Sequence, residues 1–418
     1  MRLGIKLFSI VVIIGGIACT ADMSQDKSTF LPDSATWTVR LPGNAGIYND
    51  GLIGLPVVDG AVLFHSTIFT SAREEDNRLY ALDVETGTIK WTYPERYNPN
   101  DPCFFNGRPY IQNSTVVIKM PAYSPFANHD RILILDGKEG VRKKIIHLPP
   151  ERSFSTTRDV VGSENNAWFV QEDKLSTLIY RLNILTGDTS VIKRFYPSHP
   201  GGRVEMSLRD LSLYSYNGEK MLLVGLSEHP PNETSARIVV LNALTGAEYF
   251  SKTVETDIDF PINVAVMNGS TIVYTSGRKA ASFDVSTNRM NWQVNSGTVA
   301  DSIMPGLLVQ NNVVFLWGHK ACKSLELETG NTLFKNSIEC ANVNGSSPWI
   351  VIVECDGRLS ILDERTGSTR KVLQLPCANE ERYGISYGCK PGFDGRGGIF
   401  LFGKYHGYYF AEVLNFNL

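Results

Sequence analysis

The residues of this sequence that could do chemistry are few and scattered. No serine lies in the Gly-x-Ser-x-Gly pattern of a nucleophile elbow, and no two cysteines form a Cys-x-x-Cys pair. The cysteines lie at positions 19, 103, 322, 340, 355, 377 and 389. The histidines, at positions 65, 129, 147, 199, 229, 319 and 406, lack the short spacings of metal ligands. We therefore expect no catalytic residue, no cofactor site and no metal site.

The N-terminal residues 1–19 have the pattern of an export signal. Arg2 and Lys6 precede an apolar run over residues 7–17, which is shorter than the roughly 20 residues of a membrane-spanning helix. The run ends in Gly16-Ile17-Ala18-Cys19, which resembles a bacterial lipobox with Gly16 in place of the preferred Leu. We expect lipidation of Cys19; the alternative is a plain secretory signal cleaved near Ala18. Residues 20–34 are polar and would form a flexible tether.

A lipid on Cys19 would attach the protein to a membrane, because a diacylglycerol and an N-acyl chain together give stable anchoring. In enterobacterial lipoproteins an Asp after the cysteine retains the protein in the inner membrane, and this chain has Thr20. The outer membrane, facing the periplasm or the cell surface, is therefore the expected location. Disulfides form in such compartments. Cys377 and Cys389 bracket a short segment and are the candidate pair.

Composition favours an all-β protein without a nucleic-acid partner. The net charge of -3 over 418 residues shows no basic excess, which phosphate binding would require. Hydrophobic residues make up 43% of the chain, enough for a full core. The 36 glycines and 20 prolines indicate frequent turns and short strands.

One phrase recurs along the chain and predicts the architecture. It consists of an apolar strand, an Asp or Asn, a Thr-Gly turn and a residue four positions after the glycine, as in residues 78–91 (RLYALDVETGTIKW). The turn position recurs at residues 87, 140, 187, 246, 288, 330 and 367. The residue four positions after it is Trp91, Lys144, Val191, Phe250, Trp292, Phe334 or Lys371. A period of about 47 residues is typical of a four-stranded propeller blade, with the phrase forming its third and fourth strands.

The two chain ends are expected to share a further blade. Residues 398–402 and 408–414 alternate like second and third strands, and the chain then ends without a fourth. Residues 35–41 (ATWTVRL) resemble a fourth strand with no blade before it. Joining them would leave no free sheet edge at the seam. The sequence thus predicts a single eight-bladed, four-stranded antiparallel β-propeller over residues 35–418.

The phrase resembles the pyrroloquinoline-quinone (PQQ)-like propeller repeat, Gly-x-Leu-Tyr-Ala-Leu-Asp-x-x-Thr-Gly-x-x-x-Trp, with Asn77 in place of the first Gly. Two branches of that family are possible. Quinoprotein dehydrogenases hold the quinone and calcium and carry adjacent cysteines, which this sequence lacks. The non-catalytic lipoprotein propellers of the outer-membrane barrel-assembly machinery are similar in length and in their lipidated N-terminus.

The second branch implies a monomeric, lipid-anchored scaffold that binds protein partners, possesses no cofactor and is not an enzyme. The alternatives are a PQQ-dependent oxidoreductase and a surface lipoprotein that binds a small molecule or a glycan.

Loops between second and third strands gather on one face of a propeller, and we expect them over residues 69–77, 120–130 and 228–236. Exposed aromatic and proline residues there could anchor a partner. The candidates are Tyr123, Phe126, His129, Pro230 and Pro231. Alternatively, these loops fold onto their own blades.

Overall fold

The structure is a computed structural model, and it describes most of the chain from residue 35 onward. The described ranges are 35–41, 57–71, 74–83, 85–96, 109–120, 129–149, 160–172, 176–197, 203–229, 235–255, 263–267, 270–276, 279–295, 306–318, 321–338, 340–354, 358–374, 390–393, 398–405 and 408–415. These ranges hold no helix of the length and apolarity needed to cross a membrane.

Within these ranges the strands form eight four-stranded antiparallel sheets. Sheets 1 to 4 contain, in order, β2 (Val57–Val58), β3 (Ala61–Ser71), β4 (Glu74–Asp83) and β5 (Ile89–Tyr93); β6 (Tyr110–Gln112), β7 (Thr115–Met120), β8 (Arg131–Asp136) and β9 (Arg142–His147); β10 (Val161–Ser163), β11 (Asn166–Glu172), β12 (Thr177–Asn183) and β13 (Thr189–Phe195); β14 (Arg203–Tyr216), β15 (Glu219–His229), β16 (Ser235–Asn242) and β17 (Glu248–Glu255).

Sheets 5 to 8 contain β18 (Asn263–Met267), β19 (Thr271–Ser276), β20 (Lys279–Asp284) and β21 (Arg289–Asn295); β22 (Gly306–Gln310), β23 (Val313–Trp317), β24 (Cys322–Glu326) and β25 (Thr332–Asn336); β26 (Cys340–Ser346), β27 (Trp349–Glu354), β28 (Arg358–Asp363) and β29 (Thr369–Gln374); β30 (Lys390–Phe393), β31 (Gly398–Tyr405), β32 (Tyr408–Asn415) and β1 (Ala35–Leu41). The predicted all-β fold with four-stranded antiparallel sheets is confirmed.

Sheet 8 is built from both ends of the chain. β1 pairs antiparallel with β32, with Ala35 opposite Leu414 and Leu41 opposite Tyr409. The predicted pairing of residues 35–41 with the C-terminal strands is therefore confirmed. It fixes the N-terminal strand as the outer strand of the last sheet.

Burial differs between the strands of a sheet in the way that face-to-face packing requires. In sheet 2, β7 (TVVIKM) and β8 (RILILD) are almost entirely buried, whereas β9 (RKKIIH) is largely exposed. Inner strands covered on both faces read as continuous apolar runs. Leu63 and Leu79 of sheet 1 pack with Val116 and Met120 of sheet 2, and sheets 2 to 6 pack on their successors in the same manner. Sheet 8 lies beside sheet 7, with β30 next to β26.

The recurring phrase forms one turn geometry. The Oδ1 atom of Asp83 accepts hydrogen bonds from the backbone N–H groups of Glu85 and Thr86, both at 2.9 Å. The Gly87 N–H donates to the Asp83 carbonyl at 2.9 Å, and Gly87 has a φ of 70°, which glycine adopts without strain. Asn288 takes the same left-handed conformation with a φ of 52°. The predicted turn is confirmed both with glycine and with asparagine at the left-handed position.

The residue four positions after the turn glycine contacts the next sheet, as the sequence indicates. The indole of Trp91 lies over Gly140, and its Nε1–H donates to the Gly137 carbonyl at 2.8 Å. Trp292 covers Gly330 and Phe334 covers Gly367 in the same way. The turn glycine thus serves two purposes, since it supplies the positive φ and leaves room for an aromatic ring.

One predicted loop is wrong. The long connection expected over residues 69–77 of sheet 1 is instead part of a hairpin, because β3 continues to Ser71 and β4 begins at Glu74. Opposite residues such as Ile68 and Asp76 pair across this hairpin. The polar residues Glu74 and Glu75 indicate a loop, but inter-strand backbone hydrogen bonds need no apolar side chains. Likewise β15 extends to His229 and β16 begins at Ser235, which shortens the predicted loop 228–236.

We expect Gly140→Ala to lower the free energy of unfolding by about 2–4 kcal/mol, since the alanine would combine a strained positive φ with overpacking. A Cβ at Gly140, whose φ is 69°, would lie 2.5 Å from Cδ2 of Trp91. Gly218→Ala is the matched control, because Gly218 has a φ of 81° and no heavy atom lies within 4 Å of the position that its Cβ would take. It should cost only about 1 kcal/mol. Equal losses in urea denaturation would contradict the ring contact.

Candidate functional site

Each sheet has two chemically different ends. The turns that join strands one and two, and strands three and four, lie at one end, which we call the turn end; the Asp59-Gly60 turn and the turn around Gly87 define it in sheet 1. The connections from strand two to strand three, and from each sheet to the next, lie at the opposite end, which we call the loop end. Because all pairings are antiparallel, this assignment holds for every sheet.

Most buried polar side chains that the structure describes lie at the loop end, where second strands finish and third strands begin. This polar layer consists of Lys119, Asp130, Arg131, Gln171, Glu172, Ser176, Thr177, Ser227, Thr275, Ser276 and Glu354. Burying such groups is costly unless they are paired or hydrogen-bonded. The layer is therefore an organised part of the molecule and forms the base beneath the loop-end connections.

A buried ion pair is the centre of the layer between sheets 2 and 3. Lys119 is 0% exposed and Asp130 is 1% exposed, and the Lys119 Nζ atom lies 3.2 Å from Asp130 Oδ2. The same ammonium donates to the carbonyl oxygen of Val170, in β11 of the next sheet, at 2.6 Å. The pair joins β7 to β8 directly below their connection and also holds sheet 2 against sheet 3.

Further hydrogen bonds join sheets at this end. The hydroxyl of Thr177 donates to the Val204 carbonyl at 3.0 Å, which links sheet 3 to sheet 4. Within sheet 7, Arg358 donates to Glu354 at 2.7 Å, and the Ser360 hydroxyl donates to the other oxygen of the same carboxylate. These contacts connect neighbouring strands and sheets at the base of the loop end.

Some polar atoms of the loop end have no hydrogen-bond partner in the described part of the chain. Gln171 donates through Nε2 to the Pro149 carbonyl at 3.2 Å, but its fully buried Oε1 accepts no hydrogen bond there. The same holds for Nδ1 of His129 and the hydroxyl of Ser276. Buried polar atoms without partners are unfavourable, and the neighbouring segments 121–128, 150–159 and 173–175 lie outside the described ranges.

Two sheets project beyond the others at the loop end. In sheet 1, β3 and β4 have 11 and 10 residues, and in sheet 4, β14 and β15 have 14 and 11, whereas β7 and β8 of sheet 2 have 6 each. The extra length lies at the loop end, because sheets 1, 2 and 4 close with similarly short turns at the turn end. The loop end is therefore an uneven surface, from which the β3–β4 hairpin of sheet 1 and the ends of β14 and β15 of sheet 4 project.

Most of the predicted partner-binding residues lie outside the described residues. These are Tyr123, Phe126, Pro230 and Pro231, and the same is true of the lipidation candidate Cys19 and of Cys377 and Cys389. His129 is described: it is half-buried and directly precedes Asp130 of the polar layer. His129 therefore lies at the loop end.

The sequence reasoning missed Lys119, Asp130 and Gln171. The available signal was a single charged or amide residue within an apolar strand, as in TVVIKM and NAWFVQE. Cys322 and Cys340 are buried in the packing between sheets 6 and 7, and the Cys340 thiol donates to the Ile338 carbonyl at 3.4 Å. In the ranges described above, no group of three or more His, Cys, Asp or Glu side chains is placed to hold a metal ion.

The recurrent aspartates are acceptors in their own turns. The hydroxyl of Ser286, assisted by the hydroxyl of Ser270 and the N–H of Thr287, lowers the pKa of Asp284 from 3.8 to about 2. A hydrogen bond from Lys143 lowers the pKa of Asp136. Carboxylates with depressed pKa values remain ionised at neutral pH and are poor proton donors. Their role is to hold the turns.

The comparisons with known proteins agree with the repeat. A family model described as outer membrane protein assembly factor BamB matches residues 33–178. No curated protein matches the sequence.

Solved structures match over nearly the whole chain. BamB from Moraxella catarrhalis aligns with a TM-score of 0.58 and 16% identity, covering 91% of this chain and 98% of that one. The quinohemoprotein alcohol dehydrogenase ADHIIG from Pseudomonas putida aligns with a TM-score of 0.58 and 11% identity, covering 90% of this chain and 75% of that one. A europium-containing methanol dehydrogenase aligns with a TM-score of 0.58 and 12% identity, covering 89% of this chain and 85% of that one.

At these identities the similarity shows the fold alone. The chain resembles the PQQ-like β-propeller proteins, BamB among them, both in its repeat and in its fold. An assembly factor and two dehydrogenases share this fold, so the activity must be argued from the site.

We expect Lys119→Met to lower the free energy of unfolding by about 3–5 kcal/mol, since it leaves the Asp130 carboxylate buried without its cation. The double variant Lys119→Met with Asp130→Leu should recover most of this loss. Lys90→Met is the control, because Lys90 and Asp83 form a pair at 3.1 Å in which both side chains are partly exposed. It should change the stability by less than about 1 kcal/mol in urea denaturation. Equal effects of Lys119→Met and Lys90→Met would show that the pair is not a buried one.

Proposed function

We propose that this protein is a lipid-anchored, non-catalytic scaffold of the outer membrane that binds protein partners at its loop end. The observation that carries the proposal is the structure of that end. A layer of buried polar groups lies beneath the projecting strands and the connections, and some of its acceptors are not used within the described chain. A rigid base under surface loops is how many proteins present binding residues.

We further propose that the sheets close into a ring of eight blades. The register of sheet 8 supports this closure. Trp37 is opposite Val413 and Ala35 is opposite Leu414, with one extra residue between them. In sheet 1, Trp91 is opposite Ala81 and Ile89 is opposite Leu82, again with one extra residue. β1 thus occupies the fourth-strand position of the repeat, and a contact of sheet 8 with sheet 1 would complete the ring.

The scaffold is favoured over a quinone-dependent oxidoreductase for two reasons. The family model that matches residues 33–178 is described as an assembly factor. No two cysteines are adjacent in the sequence, whereas the dehydrogenase branch carries an adjacent pair against its cofactor. The alternative is tested by incubating the purified protein with the quinone and calcium and then measuring cofactor absorbance and dye reduction. If the protein is a scaffold, both signals remain at background.

The anchor is the second part of the proposal. Lipidation of Cys19 would tether the sheets to the membrane through residues 20–34. Mass spectrometry of the N-terminal peptide should show acyl chains on Cys19, and Cys19→Ala should release the protein from the membrane fraction. An unmodified Cys19 in a secreted protein would rule out the anchor.

Partner binding is tested by crosslinking in membranes followed by purification. We expect the variant Tyr123→Ser with Phe126→Ser to reduce the recovered partner by at least tenfold, roughly the effect of losing central aromatic anchors. Met290→Ser is the control, because Met290 is also a large exposed apolar residue, 45% accessible, but lies at the turn end of sheet 5. Equal recovery from all three proteins would contradict binding through the loop end.

A further inference from the structure

In seven sheets the turn between the third and fourth strands has a tip residue at the same position of the repeat. The residue two positions after the Asp or Asn (Glu326 in sheet 6) is Glu85, Lys138, Leu185, Leu244, Ser286, Glu328 or Arg365. It is charged or hydroxylated in five sheets and leucine in the adjacent sheets 3 and 4. Leu185 is 73% exposed and Leu244 is 53% exposed, and Val141, in the corresponding turn of sheet 2, is 57% exposed.

The turn geometry does not require leucine at this position. Only the backbone takes part: the N–H groups of Leu185 and Leu244 donate to Asn183 and Asn242, both at 3.0 Å, as the N–H of Glu85 does to Asp83. Since a polar side chain would be compatible with the turn, the presence of leucine at positions 185 and 244 needs another reason. Leu185 and Leu244 lie at the same end of two sheets that pack on each other, so their exposed side chains give this end apolar area that an interaction could bury.

The N-terminal strand begins at this same end of the molecule. Ala35 is opposite Leu414, near the end of β32, which is where a turn between third and fourth strands would lie. Residues 20–34 precede it and lead back to Cys19. A flexible segment of that length has an end-to-end distance on the order of 20–25 Å. A lipid on Cys19 would therefore hold the turn end closest to the bilayer.

We propose that the turn end of sheets 2 to 4 rests on a phospholipid surface, with Val141, Leu185 and Leu244 in contact with the headgroup region. This proposal rests on the lipid anchor of the proposed function, and it adds the orientation of the protein on the bilayer. Leucine side chains on a protein held at a bilayer enter the interface favourably.

The charges around the leucines predict how the surface depends on lipid type. Lys138 and Arg142 are exposed beside Val141, but Glu139 and Asp188 are exposed at the same end. Lys193 and Glu248, which join sheets 3 and 4, neutralise each other at 3.4 Å. Because the local charges nearly balance, apolar contact dominates, and the association should depend little on the content of anionic lipid.

The orientation has a consequence for the loop end. With the turn end on the bilayer, the polar layer and the projecting strands of sheets 1 and 4 face away from the membrane. Partners could then approach the loop end without competing with lipid.

The experiment places a photo-crosslinking amino acid at position 185 or 244 of the full-length, lipidated protein. The same residue at positions 85 and 328, the equivalent turn tips of sheets 1 and 6, provides matched controls. The proteins are reconstituted into vesicles of phosphatidylethanolamine with either a low or a high fraction of phosphatidylglycerol. We expect lipid adducts at 185 and 244 in about tenfold excess over 85 and 328, with little change between the two vesicle types. All four positions are solvent-facing, so thermal melting should match the unmodified protein.

Three results would overturn the proposal. Equal lipid adducts at all four positions would mean that no orientation is preferred. Adducts of 185 and 244 with another protein in native membranes, or with a second copy of this chain, would assign the leucines to a protein interface. An absence of adducts would leave the leucines in water. None of these would affect the scaffold, which is tested separately by acylation of Cys19 and by the Tyr123 and Phe126 variant.

Discussion

The architecture depends on the contact between the outer strand of one sheet and the turn of the next. Trp91, Trp292 and Phe334 cover turn glycines that no larger residue could replace without a clash. Elsewhere the contact is kept with other groups: Lys144 reaches over Gly187 and donates to the Thr186 carbonyl, and Trp168 of β11 donates to the Ala243 carbonyl at 2.7 Å. Because this contact is repeated, each sheet sets the position of its successor, and all turns come to lie at one end.

This alignment is what separates the two ends chemically. Sheets that were free to slide past each other would mix loops and turns on one surface. In register, they collect the buried polar groups around Lys119 and Asp130 at the loop end and the exposed Leu185 and Leu244 at the turn end. The proposed partner face and the proposed membrane face follow from this one packing rule.

The repeat phrase allowed the turns, the third and fourth strands and the shared sheet to be predicted, because each depends on short-range chemistry. An Asp or Asn side chain that binds nearby N–H groups, and a glycine with positive φ, specify a turn locally. The hairpin of β3 and β4 was misread as a loop, since its polar residues carry no strand signal while its pairing partners lie across the hairpin.

The sequence by itself determined the all-β class, the turn positions and the strand that both ends share, since these are encoded in residues that are close together or that repeat. Only the tertiary structure decided which polar residues are buried together and which apolar ones remain exposed. Lys119 contacts Val170 of another sheet, and the exposed Leu185 and Leu244 lie at the same end only because sheets 3 and 4 pack on each other. Burial depends on contacts between distant segments, and a single sequence does not specify these without the packing of its sheets.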